Sequence, residues 1–180
     1  TQSRGWLPNT IGGIVWLALG SQETSCFVPF YAGIGAMPDS YRVGDHWVFS
    51  RDSARWAFDY ADYHVQVVYG AAIEDVKEAR VKWEDSAIAR TPEIDKQAQE
   101  LYAQDPAKAV EFLTGYCLDN ARSVVTAWWE LGDRLLVKYN KLGTYNAEKR
   151  TAERSKAQTA PDWWKKMVKV YDAFVEPVGR

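Results

Sequence analysis

Few residues in this chain have the chemistry of a nucleophile or a metal ligand. They are Thr1, Cys26 and Cys117, and the histidines His46 and His64 with the nearby carboxylates Asp59 and Asp62. A threonine at a free N-terminus attacks with its hydroxyl while its own α-amine serves as base. Such a nucleophile should lead straight into a buried strand, whereas Thr1-Gln2-Ser3-Arg4-Gly5-Trp6-Leu7-Pro8 is polar and turn-like. Thr1 is therefore read as a boundary or cleavage point. A cysteine needs a basic partner to become a thiolate. Cys26 falls in mid-strand between Ser25 and Phe27 with no adjoining His, and Cys117 falls on the apolar stripe of a long helix, so both read as buried core thiols.

Metal and phosphate chemistry find no better footing. Asp62 and His64 are two apart on a helix and point to different faces, so Asp59, Asp62 and His64 do not read as a metal site. The two cysteines are too few and too far apart for a disulfide framework or a zinc motif. The sequence contains no Gly-rich phosphate loop, no GxSxG elbow and no HExxH. The pairs Trp128-Trp129 and Trp163-Trp164 have the faces to stack on sugars or peptides. Trp128 shares a stripe with Leu131 and Leu135 and reads as packing, while Trp129, one step round the helix, should meet another element. No catalytic, cofactor-binding or metal-binding residue is assigned to any position, and no cofactor is implied.

The elements that would position these groups fall into four stretches: 1–50, 51–140, 141–160 and 161–180. The first alternates short apolar runs with Gly and Pro, which predicts strands. Gly12-Gly13 precedes an apolar run at 14–19, a turn cluster occupies 20–24, and a second aromatic and β-branched run covers 25–31. Residues 42–49 read as a third strand or an extended arm. Ser50 or Asp52 then caps a helical region reaching about Arg90, with Trp56, Tyr60, Tyr63 and Val67 on one face. Thr91-Pro92-Glu93 predicts a helix restart, and Asp105-Pro106 repeats the device. The helix after it runs to about Lys138 with Val110, Leu113, Cys117, Ala121, Val124, Trp128, Leu131 and Leu135 on one stripe. Residues 141–160 are polar and read as a loop, and a short aromatic helix is predicted from Pro161 to about Phe174. Strands first and helices after, with no βαβ alternation, predict an α+β fold in a single domain.

Bulk properties restrict the partners. At 180 residues the chain is one domain's worth, and 47% apolar with 26% charged residues is ordinary for a globular protein. Nine Trp and ten Tyr call for large buried surfaces or a stacking surface. The net charge of −2 gives no nucleic-acid signature. A basic final stretch after an acidic middle one reads as solvated charge. No run approaches the ~20 apolar residues of a membrane span. No charged leader followed by an apolar block opens the chain.

Several segments resemble the C-terminal part of the C69 dipeptidases, N-terminal-nucleophile hydrolases related to penicillin acylases and bile-salt hydrolases. Trp6-Leu7-Pro8 ahead of Gly12-Gly13-Ile14-Val15-Trp16 is similar to that family's entry into a core strand. Val28-Pro29-Phe30-Tyr31-Ala32-Gly33-Ile34, followed by Pro38-Asp39-Ser40-Tyr41, resembles the next segment. Trp128-Trp129-Glu130-Leu131-Gly132-Asp133-Arg134-Leu135 and Pro161-Asp162-Trp163-Trp164 resemble the family's C-terminal helices. The resemblance implies part of an αββα sandwich and hydrolysis of dipeptide amide bonds by a cysteine at the front of the mature protein. That segment has no counterpart here, so the chain would be a piece of a longer enzyme, inactive alone. Its partners would be the missing N-terminal part, a small peptide substrate in the parent, and further copies of itself through an open strand edge. The alternative is a free-standing α+β module binding a peptide or glycan on its Trp and Tyr side chains. A complete Thr1 hydrolase ranks last.

Overall fold

The computed structural model describes residues 1–140, 143–146, 148 and 151–154. A three-stranded antiparallel sheet comes first, built from β1 (Gln2–Ser3), β2 (Gly13–Leu17) and β3 (Val28–Tyr31) in the order β1-β2-β3. The one-turn helix α1 (Asn9–Gly12) leads into β2. Three long helices follow: α2 (Ala54–Val67), α3 (Tyr69–Gln104) and α4 (Pro106–Leu135). The α+β class read from the order of patterns is the fold observed. No described helix is long and apolar enough to cross a membrane.

The hairpin sits where the apolar runs predict it. Ile14 pairs with Tyr31, Val15 with Phe30, Trp16 with Pro29 and Leu17 with Val28. Gly20, in the connecting turn, has φ of 76°, a left-handed conformation that glycine adopts without penalty. Of the two readings of residues 42–49, the arm is the one observed. The third strand comes instead from Gln2–Ser3, which the polar opening of the chain conceals.

The far edge of β3 is closed in an unusual way. In an antiparallel strand, alternate N–H groups face away from the partner. Here those belong to positions 27, 29 and 31. Phe27 N–H donates to Glu84 Oε1 of α3 at 2.8 Å, and Tyr31 N–H donates to Cys117 Sγ of α4 at 3.5 Å. Pro29 has no N–H to donate. Two helices and one proline thus leave no row of free donors on that side.

Three helical details differ from the sequence reading. The region 52–90 is not one helix: Val68, at φ −143° and ψ 49°, interrupts it between α2 and α3. The buried face of α2 is Ala54, Ala57, Phe58, Ala61 and Val65, whereas Tyr63 and Val67 of the predicted face are 52% and 65% exposed. Alanines at 54, 57 and 61 let α2 lie close to α4, and close packing outweighs the larger rings one step round. The restart at Thr91-Pro92 does not occur. Pro92 lies inside the 36-residue α3, and Thr91 Oγ1 donates back to Ala87 O at 2.9 Å rather than capping. Pro92 is exposed, so the carbonyl deprived of its helical donor can turn to water.

Helix α4 follows its pattern closely. Asp105 Oδ1 accepts from Ala107 N–H at 2.9 Å and Pro106 occupies the first turn. Leu113, Cys117, Ala121, Val124, Trp128, Leu131 and Leu135 are all buried. Each larger apolar side chain on that stripe contributes about 1.5–3 kcal/mol by leaving water. After a π-helical turn at Leu136–Asn140, β4 (Gly143–Asn146) and β5 (Thr151–Arg154) pair antiparallel. A loop was expected there. Thr144, Tyr145 and Thr151 have strand-forming side chains that the surrounding charge masks. The helix predicted from Pro161 lies outside the described residues.

Candidate functional site

Both thiols are buried as the sequence predicts, although Cys26 lies in the turn before β3 rather than in mid-strand. Burial pushes the Cys26 thiol up to about 12, with the charge of Glu84 adding to the effect and Arg80 opposing it. Burial likewise pushes Cys117 to about 11, partly offset by the Tyr31 N–H that donates to its sulphur. At neutral pH both remain protonated, which is the opposite of what a nucleophile requires. Thr1 is exposed, ahead of the exposed strand β1.

The carboxylates and imidazoles that looked clustered in sequence take separate partners. Asp59 pairs with Arg55 Nε at 2.7 Å. Asp62, buried, accepts from Thr24 Oγ1 at 2.6 Å and from Gln66 Nε2. His64 lies edge-on to the Tyr60 ring with centroids 4.7 Å apart, and burial lowers its pKa against the pull of Asp133. His46 is exposed beside Trp47. Among the described residues no group of three or more His, Cys, Asp or Glu side chains is placed to hold a metal ion.

Two polar nodes, one buried and one part-buried, tie the sheet region to the helices. At one, Trp128 Nε1 donates to Thr24 O at 2.9 Å, while the Thr24 hydroxyl holds Asp62. Trp128 is fully buried and packs on Phe58, so it is structural, as its stripe predicts. At the other, Arg4 of the β1–α1 turn is ion-paired with Asp95 of α3 and donates to Ile11 O at 2.7 Å. Tyr31 OH donates to the second oxygen of Asp95 at 2.7 Å. Burial, followed by that hydrogen bond, raises the Tyr31 pKa. Both nodes are internally satisfied and present nothing to a ligand.

Two grooves open on the helical side. One, of about 600 Å³, runs between α3 and α4 over Trp83 and Leu131. Its walls carry Asp75, Glu78 and Glu130 against Lys82, Arg134 and Lys138, a balanced set that reads as a solvated charge ladder. The other, of about 550 Å³, lies between residues 36–42 and α4. There three arginines, Arg42, Arg51 and Arg122, face a single carboxylate, Asp39, over a floor including Met37, Val125 and Trp129. Trp129 meets other elements, as its place on α4 predicts: Phe49 at 5.9 Å, Tyr60 at 5.4 Å and the Arg51 guanidinium at 4.5 Å. An apolar floor under a rim lined by three arginines and one carboxylate suits an anion with an apolar body. The sequence reading did not single out these arginines. Arg42 and Arg51 flank the 43–50 arm, but Arg122 is on a distant helix, and only the fold brings the three together.

Among known families, residues 1–82 match the model of peptidase family C69. It covers the sheet, the arm, α2 and the first turns of α3. The likeness read at positions 128–135 and 161–164 lies beyond it. No curated protein matches the chain.

Proposed function

We propose, from the match of residues 1–82 to the C69 peptidase family model, that this chain is the C-terminal part of a dipeptidase. The parent hydrolyses dipeptide amide bonds through a cysteine at its mature N-terminus, outside these residues. The thiolate adds to the amide carbonyl, the leaving amine takes a proton, and water then releases the acid from the thioester. Preorganised donors stabilise the oxyanion formed at each stage. The family match carries this reading. The state of the thiols supports it: a cysteine peptidase needs a reactive sulphur, and Cys26 and Cys117 are both buried and protonated. On this view the chain contributes strands, covering helices and a wall of the substrate cleft, and has no activity alone.

Expression of the full native gene tests this, with intact-mass analysis and a dipeptide hydrolysis assay. The long form should begin with Cys and cleave dipeptides, and Cys26→Ala with Cys117→Ala should leave its rate unchanged if folding is preserved. The 180-residue chain should be inert. Hydrolysis by this chain alone would place the nucleophile inside it and defeat the proposal.

A second reading, a binding module, has one observation in its favour. Trp6 and Trp47 are 79% and 89% exposed, with Val48 and Phe49 exposed next to Trp47. Peptide or glycan binding abolished by Trp47→Ala, in a protein whose long form cleaves nothing, would select it.

A further inference from the structure

The groove between residues 36–42 and α4 differs from the larger one in its charge. Its lining holds Arg42, Arg51 and Arg122 against Asp39 alone, and the apolar floor includes Met37, Val125 and Trp129. Each guanidinium has an acidic neighbour, two of them at long range and one in hydrogen-bond contact. Arg42 is 3.7 Å from Asp39, Arg51 is 3.9 Å from Asp133, and Arg122 is 2.9 Å from Asp119. The Arg42–Asp39 and Arg122–Asp119 side chains are at least 68% exposed, and exposed pairs of this kind exchange readily with a better acceptor. Arg51 is different: stacking over Trp129 at 4.5 Å holds its planar group in place before any ligand arrives.

We propose that this groove binds a short peptide by its free C-terminal carboxylate. The carboxylate takes paired N–H donors from the arginine rim, and an apolar side chain settles on Trp129, Val125 and Met37. The ammonium end, repelled by the same rim, points to solvent, so charge alone sets the direction in which the peptide lies. The volume of about 550 Å³ is within the range of small-molecule sites. This inference rests on the dipeptidase reading and deepens it by naming the substrate end that this chain recognises.

Isothermal titration of the 180-residue chain tests it, with alanyl-phenylalanine, its C-terminal amide and inorganic phosphate as probes. The free dipeptide should bind about tenfold more tightly than the amide, the difference expected for one good charged contact. The double variant Arg42→Ala/Arg122→Ala, with its fold checked by circular dichroism, should lose about the same factor. Equal affinity for dipeptide and amide, or no binding of either, would overturn the proposal. So would phosphate binding as tightly as the dipeptide and displacing it, which would make the groove a bare anion site. The readout is binding, not turnover. An inert groove beside a long form that cleaves dipeptides would sink this proposal and leave the peptidase reading intact. Carboxylate-selective binding beside a long form without activity would do the reverse.

Discussion

At the residue scale the thiols give the sharpest prediction. Cys26 and Cys117 ionise in the folded state only near about 12 and about 11, against an ordinary 9.0. A group whose folded pKa is raised holds its proton more tightly when folded. Its stabilisation is therefore complete below pH 9 and is lost as pH rises toward 11 and 12. Denaturation midpoints should fall between pH 9 and 11, and Cys26→Ala/Cys117→Ala should flatten that decline. Ellman's reagent at pH 8 should find no fast-reacting thiol in the native chain and two after unfolding; a fast native thiol would show that a cysteine is accessible. Both cysteines were legible as core residues because each lies within an apolar pattern that also fixes its burial. The groove arginines were not legible in that way, since the charge of a residue says nothing about which distant residues the fold sets beside it.

Where α2 packs on α4, Gly132 faces the Tyr60 ring. A Cβ built on Gly132 would lie 2.4 Å from Cδ1 and 2.6 Å from Cε1 of Tyr60. Alanine in mid-helix is worth about 1 kcal/mol over glycine by propensity. Forcing a methyl into a filled contact costs about 1–3 kcal/mol. Gly132→Ala should therefore lower stability by up to about 2 kcal/mol, read from chemical denaturation. Adding Tyr60→Ala should remove the clash, so the double variant should lose less than the sum of the two single effects. A stabilised Gly132→Ala would mean that the helices do not approach this closely. The same interface explains the misread face of α2. Periodicity was present on two faces, Trp56/Tyr60/Tyr63/Val67 and Ala57/Phe58/Ala61/Val65, and size favoured the first. The partner helix, with Trp128 packed on Phe58, selected the second. Pro92 misled for the converse reason: α3 is held by contacts along its length, so one lost hydrogen bond does not end it.

At the scale of the molecule, among the described residues, the exposed edge of the three-stranded sheet is β1. Arg4 N–H donates to Gly12 O, so Ser3, one residue earlier, turns its N–H away from β2. β1 is two exposed residues long, and the apolar arm of Trp47, Val48 and Phe49 is also exposed. We expect association through this edge and this arm, seen as a concentration-dependent increase in sedimentation coefficient. Ser3→Pro and Trp47→Ser should each reduce it; a single monomer species at high concentration would refute the expectation. The open edge anticipated from the hairpin runs lies one strand earlier than their pattern indicates, because α3 and α4 occupy the side of β3. Which edge a sheet leaves open depends on elements more than fifty residues downstream, and local pattern has no access to them.

The bond from the Trp128 indole to Thr24 O spans 104 residues. During synthesis the hairpin turn leaves the ribosome long before the helix that closes it. At about 5–20 residues per second, the interval is roughly 5–20 s. Throughout that time the carbonyl of Thr24 has no indole, and Tyr31 N–H has no sulphur to receive it. The closure of β1–β3 by the helices is therefore completed late in translation, and a ribosome stalled before α4 emerges would hold a nascent chain whose β2–β3 hairpin remains open to proteases and chaperones.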